Sequence, residues 1–166
     1  MTKKNIMFLC TGNSCRSQMA EGWCRKYWGE EFDVYSAGTK KHGMNERAIK
    51  VMKEAGVDIS HHFSKTVEEL PKITFDYVVT VCDAAKETCP YFPGGKVLHV
   101  GFQDPPAITK EMTNEEDILQ VYRKVRDEIH ESIKKSSILF LVCLNSSIDN
   151  LLPLLGVVSS ITIDST

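Results

Sequence analysis

No apolar run in this sequence is long enough to cross a bilayer. Ile138 to Leu144 and Leu151 to Val158 both fall short of the ~20 residues a spanning helix needs, and Asp149 lies between them. An export signal is missing too: Lys3 and Lys4 precede only the short apolar run Ile6 to Cys10, which a polar loop follows at once, so the expected location is cytoplasmic. Basic residues interleaved with aromatics are absent, and 20 Lys and Arg against 22 Asp and Glu leave a net charge of −2, which argues against a nucleic-acid surface. There is no Cys-x-x-Cys pair, and the neighbours His61 and His62 point to different faces of most backbones, so neither a structural metal nor any other cofactor is expected. Internal repeats and Ser/Gly-rich linkers are also lacking. The 166 residues therefore suit one domain with a sizeable core. The six cysteines suit catalytic or redox chemistry better than a disulfide framework, because the chain is long and well supplied with core residues.

What is present converges on Asn5 to Ser17, where a buried strand gives way to a helix. Ile6 to Leu9 is the strand, Gly12 and Asn13 tolerate positive φ, and Ser14 or Ser17 can cap a helix whose apolar positions are Met19, Ala20, Trp23 and Tyr27. Such a loop turns successive N–H groups inward at the positive end of a helix dipole and makes a concave site for a tetrahedral oxyanion. That field and the guanidinium of Arg16 favour the thiolate of Cys10, so its pKa is expected below the ~8.5 of a free thiol. Arg16 can hold two oxygens of the anion, and the hydroxyl of Ser17 or Ser14 can donate to the Cys10 sulfur. The whole stretch Cys10-Thr11-Gly12-Asn13-Ser14-Cys15-Arg16-Ser17 resembles the phosphate loop of low-molecular-weight protein tyrosine phosphatases and of the arsenate reductases that share their fold.

Beyond the loop, strand and helix patterns alternate. Phe32 to Ala37 reads as a strand ending at Gly38, and Asn45 to Ala55 as a helix with Ala48, Val51 and Met52 on one face and Gly56 as its stop. Val57 to Lys65 is polar loop, and Thr66 to Leu70 a helical turn ended by Pro71. Phe75 to Val81 is the continuous β-branched run of a central strand, and Lys96 to Phe102 a fourth strand. Thr113 is expected to open a long helix, with Glu116 placed for a capping box and Ile118, Tyr122, Val125, Ile129 and Ile133 inside. The expected fold is α/β: a doubly wound, four-stranded parallel sheet of order 2-1-3-4 flanked by helices, phosphatase-like. Residues 1–137 form the catalytic domain, and 138–166 an apolar extension with no assigned role.

In that order Cys10 and Cys82 end neighbouring strands, and Asp104 follows the fourth. Asp104-Pro105 resembles the family's general-acid segment, whose carboxyl protonates the leaving oxygen. The stretch from Val79 through Cys82 to Cys89-Pro90 resembles the thioredoxin-coupled arsenate reductases. The resemblance implies that Cys10 attacks arsenate with help from Asp104, that Cys82 attacks Cys10 and releases arsenite, and that Cys89 takes over the disulfide for thioredoxin to reduce. Phosphate is the implied competitor. If residues 83 to 88 form a helix, the Cα atoms of Cys82 and Cys89 stand ~10.5 Å apart, beyond the ~7 Å a disulfide allows, so oxidation must unwind that segment. Cys24 and Cys143 read as packing residues, and Cys15 belongs to the loop with no electron-transfer role. Some of these reductases resemble one another in a potassium site to which Asn13, Glu21 and Ser36 correspond. The acidic residue expected further along falls on or near Lys65, where a lysine competes with a cation, so the resemblance does not carry potassium over. Alternatives to the reductase are a protein tyrosine phosphatase using Cys10, Arg16 and Asp104, and a non-catalytic oxyanion-binding redox sensor.

Overall fold

The computed structural model describes residues 3–83 and 95–135. Cys89, Cys143, the segment expected to unwind beyond Asp83 and the 138–166 extension lie outside them.

The first strand, β1 (Lys4–Cys10), forms because Ile6, Met7, Phe8 and Leu9 can all be buried at once on the two faces of a sheet. Each such side chain contributes about 2 kcal/mol relative to exposure. Helix α1 (Arg16–Trp28) crosses over to β2 (Phe32–Gly38), which pairs parallel with β1, Leu9 opposite Ala37. Helix α2 (Glu46–Glu54) follows, capped by the Asn45 side chain, which accepts from the Ala48 N–H, and stopped at Gly56 with φ of 75°. A short 3-10 turn (Val67–Glu69) leads to β3 (Tyr77–Thr80), then β4 (Lys96–His99), the short helix α3 (Pro105–Ile108) and α4 (Glu115–Lys134).

The sheet formed by these strands has the order β2-β1-β3-β4, all parallel, as the alternation predicts. The order reverses between β1 and β3, which sets a crevice beyond their carboxyl ends. Helix α1 lies on β1 and β2 and packs against α4, whose inner face is the expected Ile118, Tyr122, Val125, Ile129 and Ile133.

Four details differ from the sequence reading, the first being that the third strand covers only Tyr77–Thr80 of the expected Phe75 to Val81. The fourth strand stops at His99 rather than Phe102, although the Val100 and Phe102 N–H groups still donate to the Thr80 and Val81 carbonyls. The cap of α4 is Asn114, not Thr113: the Asn114 carboxamide accepts from the Glu116 and Asp117 N–H groups, leaving no role for a box built on Thr113. Neither Ser14 nor Ser17 caps α1, whose N-cap position is Cys15 with no side-chain bond. The first amides of α1 thus stay open to an anion. No helix among the described residues is long and apolar enough to cross a membrane.

Candidate active site

The loop between β1 and α1 takes its shape from the chain that continues β2. Thr39, Lys40 and His42 donate backbone N–H groups to the carbonyls of Cys10, Thr11 and Gly12 at 3.2, 2.9 and 3.2 Å. The Ser64 hydroxyl also donates to the Gly12 carbonyl, at 2.9 Å. Because a trans peptide sets N–H opposite C=O, tying these carbonyls outward turns the following amides inward. One such amide, that of Asn13, donates to Cys10 Sγ at 3.1 Å. Asn13 has φ of 45°, the left-handed region that asparagine tolerates.

Hydrogen-bond logic fixes the orientation of the polar groups here. The Asn13 side-chain amide donates to both Ser17 Oγ and Ser36 Oγ at 2.9 Å. Ser17 therefore has its own proton free for Cys10 Sγ, 2.9 Å away, and Ser36 donates to Glu21. Gln18, fully buried, donates from Nε2 to the Asn13 backbone carbonyl and to Asn13 Oδ1, each at 3.0 Å. His62 Nδ1 lies 2.9 Å from Gln18 Oε1, which can only accept, so Nδ1 carries the proton. The residues Thr11, Gly12, Asn13, Ser14, Cys15 and Arg16 thus line or brace one cradle.

The geometry brings Arg16, Asp104 and Cys82 to the rim of that cradle. Arg16 Nη2 is 3.0 Å from Asp104 Oδ1, and Nη1 donates to the Phe102 carbonyl at 2.9 Å. Cys82 is buried, with its Sγ 3.5 Å from Thr11 Oγ1. Cys10, Cys15, Cys24 and Cys82 are all free thiols. Burial raises the Cys15 pKa and leaves that thiol inert behind the loop.

One expectation is overturned. Burial pushes the Cys10 thiol up, not down, and outweighs the Ser17 hydroxyl, the Asn13 N–H and the Ser17 N–H, while the nearby Cys82 adds to the rise. Arg16 does not oppose this, because its guanidinium is turned to Asp104 and the Phe102 carbonyl. Burial likewise pushes the Cys24 thiol up to about 12. Both thiols hold their protons more tightly folded than unfolded, so their stabilisation is full below the ordinary value of 9.0 and is lost as pH rises above it, for Cys24 as pH climbs toward about 12. The melting temperature of the reduced protein should accordingly fall between about pH 9 and 11, and Cys24→Ala should make that fall shallower. Thermal denaturation across this range checks it; an unchanged slope in the variant contradicts it.

Sequence reasoning missed three participants. Gly38 is one: a Cβ there would lie 2.5 Å from the Lys40 carbonyl oxygen and 2.7 Å from that of Thr11. His42 is another, its ring packed over Gly12. Gln18, which braces Asn13, completes the set. Only a glycine directly after a strand hinted at any of them.

A strand-loop-helix cradle, with a cysteine at one end, an arginine at the other and an Asp-Pro pair facing it, defines a phosphatase-type oxyanion site. The sequence pattern of the family described as Low molecular weight phosphotyrosine protein phosphatase matches residues 5–137. The chain belongs to this family. Within it, the chain is 52% identical over 135 residues to an arsenate reductase of Halalkalibacterium halodurans, covering 81% of this chain and 95% of that protein. Among solved structures it is similar to an arsenate reductase in its oxidized state, with TM-score 0.64, 28% identity, and 80% and 95% of the two chains covered. A thioredoxin-dependent arsenate reductase of Corynebacterium glutamicum matches with TM-score 0.54 and 25% identity, over 81% of this chain and 63% of that one.

Proposed function

We propose that the chain is an arsenate reductase that passes oxidation through three thiols, Cys10, Cys82 and Cys89, to thioredoxin. The observation that carries this reading is the contact of Cys82 Sγ with Thr11 Oγ1 at 3.5 Å, which puts a second thiol one residue from the nucleophile along the loop. Hydrolysis of a phosphate ester needs no such thiol; reduction of arsenate needs two electrons.

Arsenate enters the cradle as an anion on the loop amides and the open N-terminus of α1, and Arg16 swings from Asp104 to two of its oxygens. Cys10 Sγ bonds to arsenic while one As–O bond breaks. The single proton the thiol gives up departs with that oxygen as water, delivered through Asp104 as general acid. Transfer to the substrate fits a thiol that burial keeps protonated at rest. Ser17 meanwhile donates to the sulfur and steadies its charge as it forms.

Cys82 Sγ next attacks Cys10 Sγ. An S–S bond forms, the As–S bond breaks, and its electron pair stays with arsenic, which leaves as arsenite carrying the Cys82 proton. Cys89 then displaces Cys10 from Cys82, and the thioredoxin dithiol reduces the resulting disulfide. Cys89 lies outside the described residues, and its part rests on the sequence resemblance.

The test is arsenate-dependent oxidation of reduced thioredoxin, run beside hydrolysis of an aryl phosphate. Cys89→Ser should release one arsenite per chain and then stall; sustained cycling by that variant removes Cys89 from the mechanism. Oxyanion binding with neither activity would mark the chain as a sensor. A slow aryl phosphatase activity is expected alongside reduction, since Cys10, Arg16 and Asp104 suffice for a cysteinyl-phosphate.

A further inference from the structure

Glu21, on α1, has a side chain only 4% exposed, so its charge has to be met from inside the protein. Arg25 Nη2 lies 2.7 Å from Glu21 Oε1, and Lys65 Nζ lies 3.6 Å from Oε2. The Ser36 hydroxyl donates to that same Oε2. Ser36 Oγ in turn accepts from Asn13 Nδ2 at 2.9 Å, and the Asn13 N–H donates to Cys10 Sγ at 3.1 Å. An unbroken run of bonds thus links the carboxylate to the sulfur.

Some of the reductases this chain resembles share a potassium site to which Asn13, Glu21 and Ser36 correspond, and the residues of this chain do not fit one. Both Glu21 oxygens are already engaged. Asn13 Oδ1 accepts from the Lys65 N–H at 2.9 Å and from Gln18 Nε2 at 3.0 Å. Two positive charges surround one carboxylate, so an added cation meets net repulsion. Lys65 is itself held in place: its side chain is 12% exposed, and Nζ donates to the Phe63 carbonyl at 3.3 Å and sits over the Phe63 ring.

We infer that Lys65 is a positioning residue whose tethered ammonium replaces an inorganic monovalent cation beside Glu21, and that the cradle is set without potassium. Lys65 acts on Cys10 only through Glu21, Ser36 and Asn13. The inference rests on Cys10 and its loop forming an oxyanion site, not on arsenate being the substrate.

The test compares reduced wild-type protein, Lys65→Met and Lys65→Asp in potassium chloride and in tetramethylammonium chloride at equal ionic strength. Two quantities are read: the melting temperature, and the phosphate affinity taken from protection of Cys10 against iodoacetate. Neither needs turnover, so a failed reductase assay and a failed inference are distinguishable. Wild type should give the same values in both salts. Lys65→Met should bind phosphate about tenfold more weakly in the tetramethylammonium salt, the order seen when a supporting partner is removed, and potassium should restore much of that loss. Lys65→Asp should gain a potassium-specific rise in melting temperature of about 3 °C or more, which decides the matter should Lys65→Met fail to fold. A potassium-specific change in wild type, unchanged phosphate affinity in Lys65→Met, or a Lys65→Asp protein indifferent to potassium overturns the inference.

Discussion

Replacing Cys82 with alanine is expected to lower thioredoxin-linked arsenate reduction by about a thousandfold or more, as loss of an obligatory nucleophile does, while largely sparing aryl phosphate hydrolysis. The split follows from where the thiol sits. Cys82 Sγ touches Thr11 Oγ1 but makes none of the contacts that shape the cradle: those run from Cys10 to Ser17 and Asn13, and from Asn13 to Ser36 and Gln18. Removing it takes away the second electron donor and leaves anion binding and attack by Cys10 intact. Parallel assays of the two activities on one preparation give the answer. Equal losses in both would mean that Cys82 supports the loop rather than the relay, and would sink the three-thiol reading.

Gly38→Ala should be nearly as damaging, and to binding as well as turnover. The new methyl would stand 2.5 Å from Lys40 O, 2.7 Å from Thr11 O and 2.8 Å from Asn13 N, all backbone atoms of the loop or of the segment that braces it. Overpacking of this kind costs about 3 kcal/mol. The smaller entropy of the unfolded alanine chain offsets at most about 1 kcal/mol of that. The net loss of about 2 kcal/mol lowers the melting temperature by roughly 4–8 °C. Since Thr11 and Asn13 must shift to make room, phosphate affinity should fall with it. Gly12→Ala is the useful comparison, because the three atoms nearest its methyl would all belong to the His42 side chain, which is exposed. Thermal melts and phosphate titrations on the two variants separate these cases. A Gly38→Ala protein with wild-type stability and affinity would show that the bracing by residues 39–42 is not what orients the loop.

Much of the site could be read from residue order because its parts are close in sequence. Cys10, Gly12, Asn13, Arg16 and Ser17 lie within eight positions, and a strand on one side and a helix on the other leave the backbone between them few ways to turn. The sheet order was legible for a related reason: alternating strand and helix patterns permit few parallel arrangements. Asp104 was legible only as an Asp-Pro pair. That it faces Arg16 follows from where β4 ends, which no local pattern states.

The errors have separate causes. The expected lowering of the Cys10 pKa considered the charges near the loop and not the burial of the sulfur beneath it, and burial is the larger influence. The expected serine cap on α1 failed because Ser17 is drawn to Cys10 and Asn13. Thr113 lost the cap of α4 to Asn114, one residue later, where the carboxamide reaches two amides at once.

By itself, then, the order of residues determined the strand-loop-helix unit, the gathering of Cys10, Asn13, Arg16 and Ser17 around one turn of chain, and the parallel sheet, because hydrophobic periodicity and contiguous backbone geometry act over a few residues. Folding in three dimensions decided the rest. Arg16 points to Asp104, Thr11 meets Cys82, Gly38 admits the loop, and Lys65 reaches Glu21 across 44 positions of chain. These depend on desolvation and on charges brought together from distant segments, and such quantities exist only once the chain has folded.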